Sequence, residues 1–174
     1  MTIAIKPTAS GSTIEQNGST ILTVDGSGNI TPSNQMYPKV PAFSAKLSSN
    51  QTISAGTWTK AEFSNEQFDT NSNYDNSTNY RFTPTVAGYY LININARFTG
   101  VSGTSNLMGS VYVNGTRTAI FQQQHAQTDD SSATGVNLIY LNGSTDYIEC
   151  YVYTNNGDLL QSAYSFFQAH LVSV

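Results

Sequence analysis

Charge is what this sequence has least of. Only 10% of its 174 residues are charged, with 7 Lys or Arg against 11 Asp or Glu. A formal net charge of -4 leaves no basic stripe to neutralise phosphates, which argues against a nucleic-acid partner and against an anionic membrane surface. The single cysteine, Cys150, excludes an internal disulfide, so the core must form without a covalent staple, as a chain of this length can manage. No apolar run approaches the length of a membrane span. The opening Met1 to Pro7 is too poor in apolar residues for a secretory signal, so the expectation is a chain made in a cytoplasm. Helical periodicity is never sustained, which leaves strands as the building material.

What stands in place of charge is neutral polarity and aromatic bulk. Ser, Thr, Asn and Gln together make up roughly two-fifths of the chain, far above the usual share. With 11 Tyr and 8 Phe, the profile suits β-rich viral fibre and adhesin proteins, because strands favour aromatic and β-branched residues. Residues 1 to about 37 differ from the rest, having no aromatic residue before Tyr37. There Ile21–Val24 and Ile30–Thr31 flank Asp25-Gly26-Ser27-Gly28-Asn29, a short hairpin with a Gly-rich turn. Such a hairpin needs a partner surface. Pro32, Pro38 and Pro41 punctuate the chain, dividing it into an extended arm, residues 1–40, and a head, residues 41–174.

In the head, turn chemistry recurs every ten residues or so, the pattern of a sandwich or barrel. Strands are expected near 41–48, 57–63, 79–83, 87–99, 107–114, 117–125, 132–141, 146–154 and 164–172, with a short edge strand at Gln67-Phe68. Asn114-Gly115 follows Val111-Tyr112-Val113 and signals a type I′ hairpin, since both central positions need positive φ. Asn142-Gly143 looks like a second use of that device. On 89–98, Tyr90, Ile92, Ile94, Ala96 and Phe98 alternate with Asn93, Asn95 and Arg97, so the first set is core. On 147–153, Ile148, Cys150 and Val152 form one side, while Tyr147, Tyr151 and Tyr153 stand on the other with Glu149. A strand bulky on both sides offers a surface to something, and a symmetric contact between copies is the economical candidate. Tyr164 and Phe166, on a closing strand that is also apolar on both sides, join those tyrosines as candidate trimer-interface residues.

Several segments in order resemble the globular head of complement component 1q and its tumour-necrosis-factor relatives. Pro41-Ala42-Phe43-Ser44-Ala45 resembles the first strand of that family, and Asn79 to Leu91, with Thr83-Pro84 before Gly88-Tyr89-Tyr90, its central signature. Val111 to Gly115 is similar to the next hairpin, and Ser165 to Leu171 to the closing strand. The closing strand departs from the pattern in having Ala169 where the family usually has Gly, and no collagen-like stalk precedes the head. The resemblance implies a ten-stranded antiparallel jelly-roll sandwich that assembles as a homotrimer around an aromatic and apolar axis. The missing stalk argues against a complement role. Gly18 to Thr31 is similar to segments common in tailed-phage fibre and virion-surface proteins.

Chemistry is thin. The run Asp69 to Asp75 alternates oxygen ligands, but Tyr74 stands where a calcium loop turns on Gly and Tyr80 where it needs Glu. His125 and His170 show no ligand spacing, and Asp129-Asp130 would point to opposite sides of an extended chain, unlike a glycosidase pair. Gly26-Ser27-Gly28 opens no helix, so it is neither a nucleophile elbow nor a phosphate cradle. Cys150, between Ile148 and Val152, reads as a small buried hydrophobe. The expectation is a protein without cofactor, metal or catalysis: a homotrimeric bacteriophage virion protein, either a tail fibre tip for host attachment or a capsid decoration. Its arm would hold other virion proteins through Ile21, Leu22, Val24 and Ile30. Its polar loops, 64–79 and 99–106, would meet a host glycan or protein, with Asn71, Asn73, Tyr74 and Asn76 as candidate contacts. A secreted carbohydrate- or protein-binding module is the alternative, and a polysaccharide depolymerase a weaker one.

Overall fold

The structure, a computed structural model, describes residues 3–32, 40–101, 103–125 and 129–174. Pro38, expected at the boundary, and Ser102, expected in a loop, lie outside the described residues. The chain divides into two compact units, residues 1–38 and 39–174.

The first unit is more than a hairpin. It is a four-stranded antiparallel sheet made of β1 (Ile3–Thr8), β2 (Gly11–Gln16), β3 (Ser19–Asp25) and β4 (Ile30–Pro32) in chain order. The hairpin expected at 21–31 is its β3–β4 half, tied by the Asp25 carboxylate accepting from the Ser27 and Asn29 amides at 2.9 Å each. The β1–β2 half leaves little trace in the sequence because β1 carries Pro7, β2 has one large apolar residue, Ile14, and neither holds an aromatic residue. The overlooked signal is Asn17-Gly18, a two-residue turn between β2 and β3 with φ of 51° and 83°. Registers Ile5↔Ile14, Ile14↔Leu22 and Val24↔Ile30 put these side chains on one face of the sheet, because directly paired residues share a face. Ile21 falls on the other face. Lys6 and Glu15 pair there too, at 2.6 Å.

The second unit is a sandwich of two antiparallel sheets. Its strands are β5 (Ala42–Lys46), β6 (Gln51–Thr52), β7 (Thr59–Lys60), β8 (Asn65–Asp69), β9 (Tyr74–Asp75), β10 (Arg81–Phe82), β11 (Gly88–Thr99), β12 (Ser105–Val113), β13 (Thr116–His125), β14 (Ser131–Leu141), β15 (Ile148–Thr154), β16 (Leu159–Leu160) and β17 (Phe166–Ser173). Ten of these coincide with the strands expected from the sequence. The additional β6, β9 and β16 are two-residue strands, too short to leave an alternation. One sheet runs β6-β16-β11-β17-β5-β8 with β14 on the free side of β11, and the other β13-β12-β15-β10-β9 with β7 on β15.

Asn114-Gly115 closes the β12–β13 hairpin with φ of 52° and 76°, the positive pair that a type I′ turn requires. Asn142-Gly143 does not repeat it. β14 and β15 belong to different sheets, so the segment between them is a corner that carries the chain across the sandwich. The Asn142 carboxamide oxygen holds the corner by accepting from the amides of Ser144, Thr145 and Asp146 at 2.9 to 3.0 Å.

Alternation on β11 works as expected: Tyr90, Ile92, Ile94, Ala96 and Phe98 are fully buried between the sheets. Phe43 from β5 lies at the centre, stacked on Tyr74 at 4.5 Å and Phe82 at 4.6 Å, and edge-on to Phe167 at 5.0 Å. Gly135 on β14 is required by packing, since a Cβ there would overlap the Phe121 ring. The Tyr90 hydroxyl donates to the Val86 carbonyl at 2.7 Å, and burial pushes its pKa up to about 12.

Candidate functional site

A strand buried on one side must show its other side to something. On β14 that side carries Val136, Leu138 and Tyr140, each more than half exposed, and the pairing Tyr89↔Tyr140 and Leu91↔Leu138 extends the patch onto β11. Tyr89 and Tyr140 meet edge to face at 5.4 Å, and Val172 at the end of β17 is 56% exposed. His170, across from Leu91, is exposed beside them. Isolated exposed apolar residues need no explanation, but a contiguous aliphatic and aromatic patch on a strand face marks an interaction surface. The signal for this face in the sequence is Val136, Leu138 and Tyr140 alternating with Gly135, Asn137 and Ile139.

The five residues singled out for a trimer seam do not come together. Tyr147, Tyr151 and Tyr153 belong to the outer side of the β12–β15 sheet, whereas Phe166 opens β17 on the opposite sheet and Tyr164 lies in the turn before it. The tyrosines beside β15 are half-buried by contacts within the chain. Tyr151 stacks on Tyr112 at 4.0 Å, Trp58 lies 5.5 Å from Tyr153, and the Arg81 guanidinium sits 4.5 Å over Tyr147. The reason is β7, a strand distant in sequence that pairs Lys60 with Tyr151 and so brings Trp58 and Lys60 onto this side. Lys60 also forms a 2.6 Å ion pair with the buried Glu149. Burial, ahead of the nearby Glu149 charge, raises the Tyr151 hydroxyl pKa.

The loop expected to present Asn71, Asn73, Tyr74 and Asn76 to a receptor turns inward instead. Tyr74 is a core residue, and its hydroxyl donates to the Phe63 carbonyl at 3.0 Å. Desolvation raises that hydroxyl well above the range of a free tyrosine. Asn73 is buried, its carboxamide oxygen facing the Thr85 amide and hydroxyl at 3.4 Å. Asn71 and Asn76 are half-buried. Two carboxylates cause this: Asp69 accepts from the amides of Asn71 and Tyr74, and Asp75 from those of Ser77, Thr78 and Asn79. The Thr78 and Ser77 amides hold the Asp75 carboxyl well below the usual range. The oxygens that looked like cation ligands thus cap backbone groups.

In the first unit, Ile30 is 64% exposed and Leu22 and Val24 are half-buried, on the face shared with Ile3, Ile5 and Ile14. Ile21, 40% exposed, is on the reverse. Cys150 is fully buried, and burial pushes its thiol up. Among the described residues no group of His, Cys, Asp and Glu is placed to hold a metal ion. Asp130 is occupied by Arg97 at 3.4 Å, and Asp158 accepts a short hydrogen bond from the Thr154 hydroxyl.

No protein-family model and no curated protein sequence matches this chain. Solved structures do. The globular domain of zebrafish complement 1qA superposes with a TM-score of 0.57 at 17% identity, over 76% of this chain and 97% of that one. Murine APRIL gives 0.57 at 14% identity, over 76% and 99%. Eiger TNF from S. frugiperda gives 0.54 at 10% identity, over 77% and 92%. At such identities the likeness concerns the backbone: this chain carries a jelly-roll head similar in fold to those of complement 1q and tumour necrosis factor.

Proposed function

We propose that the chain is a non-enzymatic structural protein of a bacteriophage particle, and that its head works as a homotrimer closed through the outward side of β11, β14 and β17. The observation that carries the reading is the exposed patch of Tyr89, Val136, Leu138, Tyr140 and Val172. A face of this kind is stabilised by a second copy, and closed rotational symmetry lets every copy bury its own patch without leaving one over. The tumour-necrosis-factor-like fold supports three-fold closure and a non-enzymatic role. The virion setting is supported by the neutral, hydroxyl- and amide-rich composition and by the segment Gly18 to Thr31. In that setting the first unit attaches the head to other virion proteins through Ile3, Ile5, Ile14, Leu22, Val24 and Ile30. The exposed head then serves host attachment or shell decoration.

Light scattering on the purified chain tests the assembly. A mass of three times 18.8 kDa is expected, and Leu138→Asp with Tyr140→Ser should give folded monomers, because charge and lost apolar area fall on the interface but outside the core. A wild-type monomer at micromolar concentration, or a trimer indifferent to both substitutions, overturns the proposed face. Mass spectrometry of purified particles tests the setting: absence of the chain refutes it, and copy number separates a decoration from a tail component.

A further inference from the structure

At the other end of the β11 and β14 strands, the apolar patch gives way to a cleft of about 340 Å³ lined by Asn95, Arg97, Ser132 and Tyr164. The Tyr164 ring is 62% exposed and is held 5.8 Å from the Arg97 guanidinium. The backbone around it is pinned: the Asn95 carboxamide donates to the Tyr164 carbonyl at 2.7 Å, and the Arg97 amide to the Ser165 hydroxyl at 3.0 Å. Asn95 in turn accepts from the Thr134 hydroxyl at 2.6 Å, so its amide is a positioning group. Arg97 is only partly satisfied. One terminal nitrogen reaches Asp130 at 3.4 Å, while its Nε is buried with no hydrogen-bond partner among the described residues. Gln161, whose amide donates to the Arg97 carbonyl at 2.7 Å, also has a buried side-chain oxygen without a partner.

We propose that this cleft binds a neutral pyranose ring of a surface glycan. An exposed aromatic ring, a guanidinium with a spare donor, a carboxylate beside it and a serine hydroxyl are what such a ring needs. The ring's C–H side packs on Tyr164, and a hydroxyl accepts from the exposed end of the Arg97 guanidinium, whose side chain is 34% exposed, with Ser132 beside it in the lining of the cleft. Asp130 lies against Arg97 and offsets its charge, which favours a neutral sugar over an acidic one. The size suits a short ligand, at the small end of ligand clefts. Val136, the near end of the apolar patch, lies about 14 Å from Ser132 along the strand at ~3.4 Å per residue, so patch and cleft are separate features of one face. The inference deepens the attachment role of the reading above, yet its test is separate: trimer mass reports on that reading, sugar binding on this one.

The test is a titration of the full chain with methyl α-D-glucopyranoside, methyl α-D-mannopyranoside and methyl α-D-galactopyranoside, read by saturation-transfer NMR. Methyl glucuronide and inorganic phosphate serve as the anionic arms. At least one neutral glycoside should bind with a dissociation constant on the order of 1 mM, as expected for a small ligand. Tyr164→Ala and Arg97→Lys should each weaken it ~5-fold or more, while Phe68→Ala on the edge strand β8 should not. Tyr164→Leu substitutes if the alanine variant fails to fold, and light scattering checks that each variant keeps the wild-type mass. The proposal is overturned if no neutral glycoside binds, if glucuronide or phosphate binds in preference, or if binding ignores both cleft substitutions.

Discussion

Replacing Tyr74 by alanine separates two views of the segment Asp69 to Tyr80. If the segment were a solvated loop, removing one aromatic ring would cost little, since surface changes usually lie within about 0.5 kcal/mol. In the structure Tyr74 is 7% exposed and packs on Phe43 and Phe167. An aromatic side chain buries about 150–250 Å², which at ~25 cal/mol per Å² corresponds to ~4–6 kcal/mol as an upper bound. Measured aromatic-to-alanine truncations in cores fall at about 3–5 kcal/mol, so a loss of ~4 kcal/mol is expected. Tyr74→Phe keeps the ring and loses only the hydrogen bond to Phe63, for a cost of ~1 kcal/mol. Urea denaturation followed by tryptophan fluorescence, at one fixed protein concentration because assembly links to stability, measures both. A Tyr74→Ala loss below ~1 kcal/mol, or equal losses for the two variants, would refute the inward placement of the ring.

Three further outcomes are expected. Lys60→Met strands the buried Glu149 carboxylate and should cost ~2–3 kcal/mol in urea denaturation, somewhat below the range for a wholly buried pair because Lys60 is 30% exposed; adding Glu149→Leu should restore much of the loss. Because the folded Asp75 carboxyl is held below its unfolded value near ~3.9, its contribution is complete above that value and drains away as pH falls below it. The urea midpoint of wild type should therefore drop between roughly pH 5 and pH 2 more steeply than that of Asp75→Asn, and parallel curves would sink the assignment. Cys150, fully buried with its thiol pushed up, should resist a thiol reagent in the native state and react on unfolding; prompt labelling of the native protein would show the β15 core face to be open.

Much of the head was legible because strand alternation is local. The β11 core set, the Asn114-Gly115 turn and the strands flanking it depend on residues two apart or adjacent, and those patterns survive in the sequence whatever they pack against. The same device misled at Asn142-Gly143, where the dipeptide turns a corner between sheets, because a sequence does not say whether the next strand pairs with the last. The candidate sites were least legible. Tyr74 stands among Asn and Ser in the sequence, and only the backbone capping by Asp69 and Asp75, together with stacking on Phe43, draws it inside. The alternation of Tyr147, Tyr151 and Tyr153 is local, yet what packs on them, Trp58, Lys60, Arg81 and Tyr112, comes from other segments. The cleft at Arg97 joins three segments distant in sequence.

The sequence by itself determined that this is a neutral-surfaced, all-β chain with a distinct first segment, since composition and period-two alternation depend on nothing beyond neighbouring residues. Which bulky face stays exposed was decided by the tertiary structure alone. That outcome depends on which distant residues lie alongside: Trp58, Lys60, Arg81 and Tyr112 pack on the tyrosines beside β15, while Val136, Leu138 and Tyr140 on β14 stay more than half exposed.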